Sequence, residues 1–246
     1  MANRRTKRHS KRGYPVAVLV GFEEKRAVLW QIFSKVVRHY ATIELNAEDK
    51  KGLYNFRESV VNLLRPLLQD GVRSIVVAGP MKTDYAKSFL DHVKKRHLWL
   101  FQDKSSSSAA FGELAGSAGN FREVSDLINA ETFRKLLRET TSEDANHVMG
   151  VLEKRLSEID SGAMVLYSLE EIELLVTRDW ERGDPSPEYI VLTDRYMADN
   201  TEKNRVHRLL QISKNKRIRT KIVSAETKAG VRLSQLGGLV CFTAYE

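Results

Sequence analysis

Cysteine is nearly absent from this chain: Cys241 stands alone among 246 residues. One thiol excludes an intrachain disulfide and any cysteine-rich zinc site. Long apolar runs are lacking too. The run Pro15–Val20 follows basic residues, as a signal segment would, but it stops at Gly21 and meets Glu23-Glu24-Lys25-Arg26. It is too short for a signal core and reads as a buried strand. No run has the length needed to span a bilayer, so the chain is expected to be cytoplasmic. Internal repeats are absent as well.

Negative charge is missing from the start, where no acid precedes Glu23. The formal charge is +8, and Arg4, Arg5, Lys7, Arg8, Lys11 and Arg12 supply most of it. Without those six the body is close to neutral, so the basic character belongs to residues 1–13, read as a disordered tail. Six cations on a pliant backbone suit an arm that displaces counterions from RNA, with salt-dependent affinity and no sequence readout. A solubilising end is the plain alternative.

What is present alternates between strands and helices. Val16–Val20, Ala27–Ile32 and Thr42–Leu45 read as strands. Leu53–Leu68 has helical spacing, with Phe56, Val60, Leu63, Leu64 and Leu67 on one face. Ser74–Ala78 is a buried strand broken by Gly79-Pro80, Asp84–Arg96 a helix, and Leu98–Phe101 a strand. Lys104–Gly119, rich in serine and glycine, reads as a mobile loop. Phe121–Ile128 and Glu131–Leu137 are short helices. Thr141 or Ser142 is expected to cap a new helix running to about Ile159. Then come a strand at Met164–Tyr167, a helix at Leu169–Val176, a strand at Tyr189–Thr193 and a helix at Glu202–Ile212. The pattern predicts an α/β chain of two domains: a mixed-sheet α/β unit over residues 14–135, then a three-layer α/β/α sandwich over 136–246.

Residues 218–246 are the most informative stretch. Two β-rich runs, Ile218–Val223 and Leu239–Ala244, flank a short helix stopped at Gly237-Gly238, where a glycine takes the left-handed conformation. Ser224, Gly230, Leu233, Ser234, Gln235, Leu236 and Gly238 stand in an order that resembles the end of the third domain in the Pelota and class-I translation release factor superfamily. The Ser74–Pro80 strand-and-turn and Gly162–Glu170 extend the resemblance over most of the chain. It implies the family's central and third domains, with no counterpart of its amino-terminal decoding domain in Met1–Gly13. Release factors also carry Gly-Gly-Gln before the long helix of the central domain, and that tripeptide serves ester hydrolysis. Asn46–Tyr54 holds Gly52 alone in that place and no glutamine. A non-catalytic, Pelota-like role in ribosome rescue, recycling or hibernation is therefore expected, with no cofactor.

The partners implied are the ribosome and its RNA, together with a translational GTPase or the recycling ATPase. Lys50 and Lys51, in the loop corresponding to the release factors' catalytic tip, join the tail as expected nucleic-acid contacts. Lys94-Lys95-Arg96-His97 and the group Lys214, Lys216, Arg217, Arg219 and Lys221 are further candidates. A free-standing module for a small structured RNA is the alternative function, since the third domain's sandwich resembles that of kink-turn-binding ribosomal proteins. Catalytic patterns are poor. Gly79-Pro-Met-Lys-Thr83 lacks the glycine that a phosphate loop places before its lysine. His9, His39, His92, His97, His147 and His207 show no zinc spacing, so no metal site is expected. Glu170, Glu171, Glu173 and Asp179 read as a solvated helix face or a docking surface. Trp30 and Trp99 read as core residues within strands.

Overall fold

A computed structural model describes residues 13–47, 49–101, 108–157, 164–180 and 184–243. The chain begins with three antiparallel strands, β1 (Pro15–Phe22), β2 (Arg26–Phe33) and β3 (Val37–Glu44). Helix α1 (Lys50–Gln69) returns the chain to β4 (Ser74–Gly79), which lies parallel to β1. Helix α2 (Tyr85–Arg96) then leads to β5 (Ala110–Ala115), parallel to β4, and the sheet order is β3-β2-β1-β4-β5. Both faces are covered, which is why β1 and β4 are nearly continuous apolar runs. Val18, Val20, Phe22, Ile75 and Val77 meet Val60, Leu64 and Phe89 of α1 and α2. The intervening Ala17, Leu19, Val76 and Ala78 face the other way, onto Val124 of α3 (Phe121–Asn129) and Phe133 of α4 (Glu131–Ser157).

A second sheet has the order β6-β9-β7-β8, built from β6 (Val165–Leu166), β7 (Pro187–Thr193), β8 (Arg219–Val223) and β9 (Leu239–Thr243). Alternation along the strands again feeds two cores. Tyr189, Val191, Val240 and Phe242 pack on Val148 and Leu152 of α4 and on Leu233 of α8 (Lys228–Gln235). Ile190, Leu192, Leu239 and Cys241 pack on Ile172 of α5 (Leu169–Thr177) and Leu209 of α7 (Lys203–Asn215). A short α6 (Asp194–Asp199) follows β7. The second unit is thus the expected α/β/α sandwich around a mixed sheet. The closing unit also has its expected form: Thr227 caps α8, and Gly237 and Gly238 take φ of +94° and +82° before β9.

Three readings of the sequence are corrected. Leu98–Leu100 is a 3-10 turn, not a strand, because the sheet position beside β4 is taken by β5. The segment read as a mobile loop therefore contains a strand at Ala110–Ala115; residues 102–107 lie outside the described residues. Its glycines serve close packing. A Cβ at Gly112 would stand 2.8 Å from Leu136, and one at Gly116 would stand 2.6 Å from Leu127. Finally, no helix starts at Thr141 or Ser142, for α4 runs unbroken over 27 residues. The hydroxyls of Thr140 and Thr141 donate to carbonyls of the preceding turn, Leu136 and Leu137, so they are satisfied inside a continuing helix. Residue 135 falls within α4, whose early turns enter the first core and whose later turns enter the second.

Candidate functional site

The tip of the first unit is where β3 hands over to α1. Asp49 caps the helix, its carboxylate accepting the Gly52 amide at 2.6 Å. Gly52 is required there by packing: a Cβ would lie 2.1 Å from the carbonyl oxygen of Ala47. Lys50 and Lys51, read from sequence as loop residues, instead form the first turn of α1. The correction follows from the cap, since Asp49 starts the helix before the apolar periodicity becomes visible at Leu53. Both lysines are exposed. No acid stands in that turn. Cations at a helix N-terminus oppose the macrodipole, each costing about 0.3–1 kcal/mol at low salt. The cap contributes about 1 kcal/mol and offsets part of this. Helix stability therefore does not account for two lysines here. Beside them lies an open cleft of about 300 Å³ whose lining includes Asn46, Lys51, Asn55 and Phe56.

Arg4, Arg5, Lys7, Arg8, Lys11 and Arg12 lie outside the described residues. Lys94, Lys95 and Arg96 are exposed in the last turn of α2, where they complement the dipole. The basic group around β8 is largely engaged in internal contacts. Lys221 is buried against Asp144 of α4. Arg219 reaches Glu188 at 3.3 Å and lies over the Tyr189 ring. Lys216 donates to the Arg178 carbonyl at 2.7 Å and covers Trp180. Lys214 and Arg217 remain exposed.

Among the acids, Glu170 and Glu171 occupy the first turn of α5, where they suit the dipole. Glu173 binds Arg205, whose guanidinium is pushed up first by Glu173 and then by Glu202. Trp30 is core as expected, its indole N–H donating to the Ala118 carbonyl at 2.8 Å. Trp99 is half-buried in the 3-10 turn under Arg65. In Gly79–Thr83, the Thr83 hydroxyl donates to Pro80 and Lys82 has a φ of +66°, which makes a closed turn.

Sequence reading missed one constellation. Glu58 of α1, His92 of α2 and His97 at the C-cap of α2 converge, each imidazole Nε2 lying 2.9 Å from Glu58 Oε1. Burial pushes Glu58 up, but the hydrogen bonds and charges of His97 and His92 outweigh it and hold the carboxyl below its ordinary range. Burial pushes His92 down against the opposing pull of Glu58. Sequence separations of 34 and 39 leave no local spacing by which to find the group.

The two layered α/β units, with a lysine-bearing helix start at the tip of the first, define a class by architecture. That architecture is the fold of Pelota. In a structure of ribosome-bound archaeal Pelota and ABCE1, the match has a TM-score of 0.53 at 17% identity, covering 94% of this chain and 62% of that one. S. cerevisiae Dom34, a translation termination-like factor involved in RNA quality control pathways and interacting with Hbs1, matches with a TM-score of 0.49 at 18% identity, over 93% of this chain and 63% of Dom34. By sequence, the chain is 20% identical over 204 residues to the pelota homologue of Pyrococcus furiosus, covering 83% of this chain and 51% of that protein. The chain thus spans about half the length of this curated relative. No family model matches it. The resemblance to the Pelota and release factor superfamily is present in sequence and in fold alike.

Proposed function

We propose that this chain is a non-catalytic ribosome-binding translation factor of the Pelota type, acting in ribosome rescue, recycling or hibernation. The observation that carries the reading is the tip of the first unit. In a chain similar to Pelota, it presents Lys50 and Lys51 at a helix N-terminus, and Asn46–Tyr54 holds no Gly-Gly-Gln. Exposed cations at a helix N-terminus suit phosphate. Nothing in that segment supplies the glutamine amide that release factors bring to the ester. The basic residues Arg4 to Arg12 add a second RNA contact, and the second unit offers a docking surface to a translational GTPase or the recycling ATPase. The similarity to Pelota in a ribosome-bound structure with ABCE1 supports the ATPase in particular. A cytoplasmic location goes with this reading. Among the described residues, no helix is long and apolar enough to cross a membrane. A free-standing small-RNA module finds no support among the similar proteins.

Co-sedimentation with purified ribosomes tests the reading. Binding is expected at low salt, and it should weaken by about 0.7–0.9 log units per log unit of salt for each phosphate contacted. Replacing Lys50 and Lys51 with alanine, or the six tail cations with glutamine, should flatten that slope. A chain that stays at the top of the gradient at low salt sinks the proposal. Released peptide from loaded ribosomes would overturn its non-catalytic half.

A further inference from the structure

We propose that Glu58, His92 and His97 form a binding site for one divalent transition-metal ion, with Zn²⁺ the best fit. Three potential ligands from separate turns converge, and their ligating atoms all lie within 4.8 Å of one another. Two imidazoles and one carboxylate are a zinc donor set, and imidazole nitrogen selects transition metals over calcium or magnesium. The geometry is close to what such an ion requires. With ligand bonds of ~2.0–2.1 Å, donors in a tetrahedral site stand about 3.3 Å apart. Both Nε2 atoms are 2.9 Å from Glu58 Oε1, so each imidazole need open from that oxygen by only a few tenths of an ångström, and the two imidazole nitrogens lie within 4.8 Å of each other.

The surroundings hold the ligands in place. The side chains of His92 and His97 are 6% and 9% exposed, whereas that of Glu58 is 24% exposed and gives a way in from solvent. The rings are braced edge-on by neighbouring aromatics, His92 by Tyr54 at 5.4 Å and His97 by Trp99 at 6.2 Å. Arg57 stands near enough to raise the potential at His92, but its guanidinium donates to Ser88 across the groove between α1 and α2. Three protein ligands leave a fourth position for water or an outside donor. An ion here would tie the middle of α1 to the end of α2 and to the 3-10 turn after it. This inference does not depend on the translation reading.

The test uses the full-length chain, free of any affinity tag, stripped with a chelator and titrated with Zn²⁺ and with Co²⁺ alone. The expected result is saturable binding of one ion per chain and a rise in the thermal midpoint with added Zn²⁺. The Co²⁺ complex should show the intense visible bands of four-coordinate cobalt. The double variant His92→Gln/His97→Gln should lose at least tenfold in affinity, while His39→Gln and His207→Gln should retain it. Should the double variant fail to fold, the cobalt spectrum of the unaltered chain decides. The pale spectrum of hydrated cobalt, or undiminished affinity in a folded double variant, overturns the site and leaves a carboxylate–histidine clamp.

Discussion

Cys241 lies fully buried in the centre of β9, and burial pushes its thiol up from 9.0 to about 12. A thiol held protonated is a poor nucleophile. Alkylation by a maleimide at neutral pH is therefore expected only through unfolding, and its rate should rise with urea; rapid labelling of the native chain would contradict this. The same shift has a consequence for stability. Between pH 9 and about 12 the folded state keeps a proton that the unfolded state has released, so stability is fully present below 9 and declines as pH rises through that window. Burial pushes the Tyr189 phenol up as well, which acts in the same direction. Urea midpoints measured across that range should fall. Lys221 and Asp144 make a further residue-scale case. Their side chains are 10% and 1% exposed, and they pair with each other. Lys221→Met should cost about 3–5 kcal/mol, because it leaves a buried carboxylate without its cation. The double change Lys221→Met/Asp144→Leu should recover most of that, as read by chemical denaturation.

Helix α4 is the element that sequence patterning divided and the fold joined. A chain with Thr140-Thr141-Ser142-Glu143-Asp144 carries every local sign of a helix start, yet the turns before it are already helical. Packing on both sides decides the matter: Phe133 is held in the first core, and Val148 and Leu152 are held in the second. At ~1.5 Å per residue such a helix is about 40 Å long, enough to serve two sheets. Gly150 is its weak point. It is exposed, and a Cβ there would meet nothing within 4 Å. Gly150→Ala should therefore raise stability by about 0.5–1 kcal/mol, through helix propensity alone. An unchanged or lowered denaturation midpoint would show that α4 is not continuous in solution.

At the scale of the whole molecule, the two units meet where the turn after α1 approaches β8. Gly71 has a φ of +90°, and a Cβ on it would sit 3.1 Å from the carbonyl oxygen of Thr220. Arg73, fully buried immediately before β4, lies over the Tyr189 ring of the second unit at 5.4 Å. Lys214 stands 4.0 Å from Asp70 across the same seam. Gly71→Ala is expected to cost about 1–2 kcal/mol from the left-handed backbone, with crowding of Thr220 in addition. Following Trp30 and Trp180 separately would show whether the loss is felt in both units. An effect confined to the first would mean that the seam carries no stability.

Much of this fold was legible from residue order. The apolar runs of β1, β4, β7 and β9, the helical spacing of α1 and the Gly237-Gly238 stop are local properties, set by backbone sterics and by which side chains avoid water. The absence of Gly-Gly-Gln and the placement of six cations ahead of the first strand are likewise read directly from the chain. Other features depend on neighbours far away in sequence. Ala110–Ala115 is a strand because β4 offers an open edge, and its glycines are spacers because Leu127 and Leu136 press on them. The Lys221 cation is withdrawn from the surface by Asp144, an acid from another element. Glu58, His92 and His97 become one group only when α1 packs beside α2. The sequence by itself determined the layers and the absence of Gly-Gly-Gln from Asn46–Tyr54, because periodicity and residue identity are local facts. Tertiary structure alone decided which charges are presented and which ligands converge, because those depend on distances that no spacing along the chain encodes.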